Sequence, residues 1–402
     1  LKEGLRIMQT PSTITPGFFS LEVAPEVTSS VPIPAGYHRL WDMKVAWRDV
    51  NPDQGTFVWD VLDQRVAQAE ASGASPLLVL GLTPKWAAAD PSAGDIRWGE
   101  GSASAPASND SWRAYVEAVV DRYGGRIGAY EVWNEANLQT FWAGTPDQMA
   151  ELTKIAHDVI KSRNPNAVVL AASSTTRLRN PMKKFYGPYL TALQQRGFPF
   201  DAFAIHTYPA GNAGPDQRVS DIIHWQEFVV SLLGPKSPIL KRPIWDTEVN
   251  FGLAGPGPIP PTDFDDVQGA TLMARTFADS ARLGIDATFW YMYTADFFDL
   301  LGVQFNANTP VTANSWNVAR NQMLGARVDS CVTNTAAVEC VLKKADGSWS
   351  GMTYSTSGAP EVIQPFAYAT IQSPFDGAPQ PCTTGDCVLQ TANPYPVWWS
   401  FG

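Results

Sequence analysis

No apolar run in this chain reaches the roughly 20 residues that a membrane-spanning helix needs, so no span is expected. Charge is sparse: 17% of the residues are Asp, Glu, Lys or Arg, and the balance stands at −10. That acid excess argues against a nucleic-acid backbone or an anionic membrane as partner. Histidine is scarcer still. The four, at 38, 157, 206 and 224, show neither HExxH nor HxH spacing, so no metal site is expected. No G-x-G-x-x-G or P-loop occupies a strand-to-helix turn, and no G-x-S-x-G elbow is present. A nucleotide cofactor and a serine triad are set aside on that ground, and no cofactor is expected. Cysteine is confined to Cys331, Cys340, Cys382 and Cys387, in the last fifth of the chain and without CxxC spacing. Two local disulfides, Cys331–Cys340 and Cys382–Cys387, are the favoured arrangement among three possible pairings, with reduced thiols as the alternative. Disulfides imply export, hence a secreted or cell-surface protein. The lack of an initial Met fits a trimmed signal peptide or a cut chain equally.

Tryptophan, by contrast, is abundant. Fifteen is several times ordinary usage, and flat rings suit both a core and the faces of sugars. At 402 residues the chain exceeds a usual single core unless that core is a large α/β barrel. Short β-rich runs alternate with amphipathic helices about eight times. The strand candidates are 5–8, 38–44, 76–82, 127–133, 167–172, 202–207, 243–247 and 287–293. Trp112, Tyr115, Val116, Val119, Val120 and Tyr123 make one helical face, stopped by Gly124–Gly125. Thr145, Pro146 and Gln148 spell a capping box with proline at the first position. Further helices run from Asp60 to Ser72 and from Val267 to Leu283. Such alternation predicts parallel strands with right-handed crossovers. The expected fold is α/β: a (β/α)8 TIM barrel over residues 1–326, with an open doubly wound sheet as the alternative. Beyond it the helical pattern stops, and residues 327–402 read as a small β-rich, sandwich-like domain that part of the stretch 13–30 is expected to join. Loops 89–109 and 251–262 follow the third and seventh strands, on the face where barrel active sites lie; plain surface excursions are the competing reading.

"YEVWNEAN" (130–137) places Glu135 at the end of the fourth strand, and "PIWDTEVNFG" (243–252) places Glu248 at the end of the seventh. A closed barrel brings both ends to one mouth. Two carboxylates across a cleft are what glycoside hydrolysis needs: one protonates the leaving oxygen, the other attacks the anomeric carbon or activates water. The expected partner is therefore a carbohydrate, and a monomer is expected. Trp86, in "LTPKWA", and Trp142, just after Glu135, are candidate stacking platforms, with simple packing an equal reading.

"WNEAN" and "TEVN" resemble clan A of the glycoside hydrolases, the retaining (β/α)8 enzymes, as does "RLWDMKVAWRDVNPDQGTFVWDVLDQRVAQAEASGA" (39–74). Length and the added β-rich segment look most like family 39, with families 5, 30, 51 and 79 close behind. Where the clan usually has proline after its first glutamate, this chain has Ala136. The resemblance implies Glu135 as acid/base and Glu248 as nucleophile, acting on equatorial (β-D or α-L type) glycosides by double displacement. It implies that Asn134 bonds the sugar 2-hydroxyl, that Arg39 lies under the nucleophile and keeps it ionised, and that His206 and Tyr208 line the mouth. It also implies Trp290 as the floor of the −1 subsite. Arg39 as a barrel-bottom ion pair, His206 as a core histidine, and Tyr208 and Tyr293 as core or wall residues are the structural alternatives. The physical need for a dry wall beside the acid points to Trp133. Two other functions keep both glutamates: a binding barrel without turnover, and a transglycosylase. Product analysis separates all three.

Overall fold

The computed structural model describes residues 12–334, 336–367, 369–382 and 388–401. β1 (Phe19–Val23), β2 (Tyr37–Leu40), β3 (Ser75–Leu80) and β4 (Ala129–Val132) precede a fifth strand in two pieces, β5 (Val168–Leu170) and β6 (Ser174–Thr175). β7 (Phe203–His206), β8 (Ile244–Val249) and β9 (Ala287–Tyr293) complete the set. Their order is β5-β4-β3-β2-β1-β9-β8-β7-β6, each pairing parallel. A Leu170–Ala202 bridge joins the ends across the break in the fifth strand, so the sheet curls into a (β/α)8 barrel.

Helices cover the outside: α1 (Trp47–Val50), α2 (Asp60–Ala71), α3 (Asn109–Tyr123), α4 (Pro146–Arg163), α5 (Arg179–Gln195), α6 (Pro215–Leu233), α7 (Asp266–Arg282) and α8 (Pro310–Met323). Local chemistry starts them. Thr145 Oγ1 accepts from the Gln148 N–H while the Gln148 side chain accepts from the Thr145 N–H, and Asp265 with Gln268 repeats the motif for α7. The apolar face read from α3 is buried in full. It packs with Trp47, Trp133 and Trp142 into the largest core cluster, between strands β2–β8 and their helices.

The first strand differs from expectation. Residues 5–8 lie outside the described residues, and the barrel's first position is taken by Phe19–Val23, inside the stretch read as a wrapping segment. Its inward positions are Ser20 and Glu22, both wholly buried, and these polar residues mask the apolar run by which the other strands are recognised. Residues 13–14 do reach the C-terminal sheet, through the Thr13–Arg327 bridge and the Ile14 N–H to Ala326 O bond.

That sheet is antiparallel: β10 (Ala326–Asn334), β11 (Ala337–Lys344), β12 (Trp349–Ser355), β17 (Val397–Ser400), β14 (Thr370–Gln372) and β15 (Gln380–Pro381), paired in this order. β13 (Glu361–Ala367) and β16 (Val388–Ala392) form a separate pair. Val338, Leu342, Met352 and Trp398 pack with Phe277 and Trp316 of α7 and α8. Arg275 and Arg282 of α7 bond Ser355 O and Tyr354 Oη. Cys331 and Cys340, directly opposite on β10 and β11, are joined by a disulfide. The other expected pair involves Cys387, outside the described residues. Among the described residues no helix is long and apolar enough to cross a membrane.

Candidate active site

The C-terminal ends of the strands surround a cavity of about 220 Å³. Asn134, Glu135, His206, Tyr208 and Glu248, all expected there, line it. The turn after β4 builds the first half. Trp133 (φ 72°) and Glu135 (φ 40°) both adopt the left-handed conformation that side chains other than glycine rarely take. The turn is held from both sides. The Trp133 N–H donates to Leu80 O at 2.7 Å, and the Glu135 N–H donates to Ser173 Oγ at 2.9 Å. Around the seventh and eighth strands, Gly252 (φ 81°) is pressed so close to Thr262 O that a Cβ would sit 2.0 Å from it, which lets the loops carrying Leu253 and Leu300 meet at the rim.

Beneath the cavity Arg39 is wholly buried and spends its donors on four partners. Nε and Nη2 grip Glu131 in a bidentate pair at 3.0 Å each. Nη1 donates to Glu22 at 3.1 Å and to Glu248 Oε1 at 2.6 Å, and Nη2 donates to Asn134 Oδ1 at 2.8 Å. Glu248 receives a second donor, Tyr208 Oη, on Oε2 at 2.6 Å, and is 7% exposed. His206 stands between the two glutamates: Nδ1 lies 2.9 Å from Glu135 Oε1 and 3.5 Å from Glu248 Oε2, while Nε2 faces Thr247 Oγ1 at 3.0 Å.

The electrostatics follow from burial against charge. Burial opposes a charged imidazole, but Glu248, Glu131 and Glu135 outweigh it and lift the pKa of His206 to about 10. Both ring nitrogens therefore carry protons. Burial likewise opposes a charged Glu131, yet Arg39 and His206 bring it down to about 2. Asp42 goes the other way: burial, then the charge of Glu248, pushes its carboxyl up to about 7, against the pull of Tyr291 and Arg39. Glu22 is raised by burial and by Asp42. One guanidinium and one imidazolium face five carboxylates here, and Asp42 and Glu22 are the two whose carboxyls are pushed up. Glu135, His206 and Glu248 each place a donor atom within 4.8 Å of the others, the residue types of a cation site. A metal there would have to displace a proton from an imidazolium held at about 10.

Five expected residues stand elsewhere. Trp86 donates its indole N–H to Asn51 O and turns an edge to Trp47, away from the cavity. Trp142 and Trp133 pack against each other at 4.9 Å in the layer between sheet and helices, so neither stacks on a ligand nor walls Glu135. Trp290 is wholly buried against Phe251, and Tyr293, 8% exposed, packs against Phe305. Tyr291, and neither Trp290 nor Tyr293, lines the cavity; alternation along β9 turns Trp290 to the opposite face. The aromatic wall is built instead by Trp41, Trp98 and Phe141, with ring centroids 5.4–6.1 Å apart. Trp98 comes from the 89–109 loop. Sequence reading also passed over Glu22, Glu131, Asp42, Tyr291 and Arg177. For Glu131 a signal existed: it lies on the same strand face as Ala129, two residues on, and a charged residue inside an apolar run asks for a partner.

A closed parallel barrel with paired glutamates at the ends of its fourth and seventh strands defines a class, the (β/α)8 glycoside hydrolases. Comparison with known proteins narrows it. The chain belongs to the glycosyl hydrolases family 39, whose family model matches residues 36–307. It is 24% identical over 281 residues to a beta-xylosidase of Geobacillus stearothermophilus, covering 63% of this chain and 53% of that one. It is 30% identical over 118 residues to a beta-xylosidase of Caldicellulosiruptor saccharolyticus, covering 27% and 23%. The chain thus spans about half, or less, of the length of these relatives. Similar folds include a family 39 glycoside hydrolase from the gut symbiont Bacteroides cellulosilyticus WH2 (TM-score 0.68, 16% identity, 97% of this chain and 82% of that one). A GH39 beta-xylosidase from Caulobacter crescentus superposes with a TM-score of 0.62 at 15% identity, over 98% of each chain.

Proposed function

We propose that the chain hydrolyses equatorial glycosides with retention of configuration, Glu248 acting as nucleophile and Glu135 as acid/base. One observation carries the reading: oxygens of Glu135 and Glu248 approach within 4.8 Å, with His206 between them. Direct attack needs carboxyl groups about 5–5.5 Å apart, whereas a water-mediated inversion needs about 6.5–9.5 Å. Glu248 attacks the anomeric carbon as Glu135 gives its proton to the leaving oxygen. Water, deprotonated by Glu135, then opens the glycosyl ester. Arg39 and Tyr208 each occupy one oxygen of Glu248, which fixes its rotamer and places positive charge and a hydroxyl where negative charge returns when the ester breaks. Asn134, tied to Arg39, keeps its amide N–H₂ free for a sugar hydroxyl.

A cavity of about 220 Å³ is smaller than the usual drug-sized site and suits one sugar ring more than a long chain. That supports cleavage of a terminal unit, and relatives named beta-xylosidase make a β-D-xyloside the first substrate to try. Export belongs to the same reading, supported by the Cys331–Cys340 disulfide, and so does a monomeric state. The test is hydrolysis of chromogenic β-glycosides with proton NMR of the first product. Glu248→Gln or Glu135→Gln should each lower turnover by several orders of magnitude with unchanged circular dichroism, and the wild type should release the β-anomer first. Near-normal turnover in either variant, or initial release of the α-anomer, would refute the assignment.

A further inference from the structure

Arg177 is a cation at the mouth that the chemistry above leaves idle. It lies between β6 and α5 and lines the cavity. Among the described residues its guanidinium makes no hydrogen bond or ion pair, and Nη1 is buried without a partner. A guanidinium has five donors, and leaving one buried and unmatched is costly. Arg177 is half-buried; the wholly buried guanidinia here each face a carboxylate, Arg39 with Glu131, Arg218 with Asp246 and Arg275 with Asp279. The carboxylates nearest in influence are already engaged. Glu135 Oε1 faces His206, and Asp221 Oδ1 accepts from Arg179 and Gln217, each at 3.0 Å. Nor is the loop slack, because Thr176 donates both its N–H and its hydroxyl to His206 O at 3.1 Å. Burial lowers the pKa of Arg177, with the charge of Glu135 the main opposing influence.

Barrel order sets the direction. Glu135, on the fourth strand, stands between the third-strand loop that carries Trp98 and the fifth-strand loop that carries Arg177. A ring lying on the Trp98–Phe141 wall beside the proton donor therefore meets Arg177 across the cleft. We propose that Arg177 receives the carboxylate of a uronic acid unit on the leaving-group side of Glu135. The planar fork of a guanidinium matches a carboxylate in two parallel bonds, and a sugar presents that group at C6. The proposal rests on Glu135 being the proton donor.

The test is binding to the intact protein, read by ligand-observed NMR or calorimetry. D-glucuronate and D-galacturonate are compared with D-glucose and D-galactose, which carry CH₂OH in place of the carboxylate, and with acetate at the same concentration. Each uronate should bind about tenfold tighter than its neutral parent. Arg177→Gln should erase that ratio while leaving the affinity for the neutral sugars within about twofold, and Arg177→Lys should keep part of it. If Arg177→Gln does not fold, the wild-type ratio and the lysine variant decide. Equal binding of acid and neutral sugars, no uronate binding at tens of millimolar, acetate binding as well as uronate, or a ratio that survives in Arg177→Gln would each overturn it. Binding needs no turnover. Normal hydrolysis by Glu135→Gln would therefore sink the catalytic assignment separately from the cation's preference.

Discussion

Replacing Arg39 by glutamine should destabilise the protein, and more so as pH rises. The guanidinium makes five hydrogen bonds, reaching Glu22, Glu131, Glu248 and Asn134 with no exposed surface. The pull on Glu131 that Arg39 shares with His206, net of burial, sets a scale. The fall from 4.5 to about 2 corresponds to about 3 kcal/mol of stability. A group whose folded pKa is depressed gives stability that is present above its unfolded value and lost as pH falls through the folded one. For Glu131 the contribution is thus complete above 4.5 and vanishes toward 2. Without Arg39, only His206 opposes the burial of Glu131; the carboxyl moves up, and the variant's deficit grows with pH until Glu131 is ionised. Loss of one partner from a buried ion pair costs about 3–5 kcal/mol, a large part of a total near 5–15 kcal/mol. Urea unfolding followed by tryptophan fluorescence should show a deficit of about 3–5 kcal/mol near pH 7.5, and less than about 2 kcal/mol near pH 4. Arg39→Lys should recover only part, since an ammonium cannot replace the bidentate grip. A deficit below about 1 kcal/mol, or one that does not grow with pH, would refute the reasoning.

Tyr208→Phe removes the 2.6 Å bond to Glu248 Oε2 and should lower kcat/KM about 10–100-fold with little change in melting temperature; an unchanged kcat/KM would mean that the hydroxyl does not assist Glu248. Asp42, raised to about 7, contributes stability that is full below 3.8 and lost as pH rises through 7; Asp42→Asn should therefore narrow the difference in melting temperature between about pH 5 and about pH 8, and an unchanged difference would contradict the shift. Trp98→Ala should raise KM for a good substrate about tenfold, whereas Trp142→Phe should alter thermal stability and leave KM alone; the reverse pattern would restore Trp142 as the stacking platform. Replacing both Cys331 and Cys340 by serine opens a loop with a sequence separation of 9, worth about 2–3 kcal/mol, and hydrogen exchange should locate the loss on β10 and β11.

Local patterns determined much of this molecule before any coordinates. The helix start at Thr145 follows from side-chain capping within four residues, and seven of the eight strand positions follow from apolar runs between turn residues. Glu135 and Glu248 were legible for the same reason: each is a carboxylate set at the end of such a run, and topology alone brings strand ends to one mouth. The first strand escaped because Ser20 and Glu22 face a polar barrel centre, which only the partner Arg39, seventeen residues on, makes tolerable. The aromatic wall was decided by the tertiary structure. In a barrel both faces of each strand are buried, so burial cannot tell Tyr291 from Trp290, and a tryptophan serves a core as readily as a sugar face. Trp98 reaches Trp41 and Phe141 through a long loop whose path depends on distant contacts, such as the bond from the Thr83 N–H to Ser102 O. Arg177 belongs with these. Only the folded chain reveals that Asp221 is already taken by Arg179, leaving a guanidinium at the mouth with no carboxylate partner among the described residues.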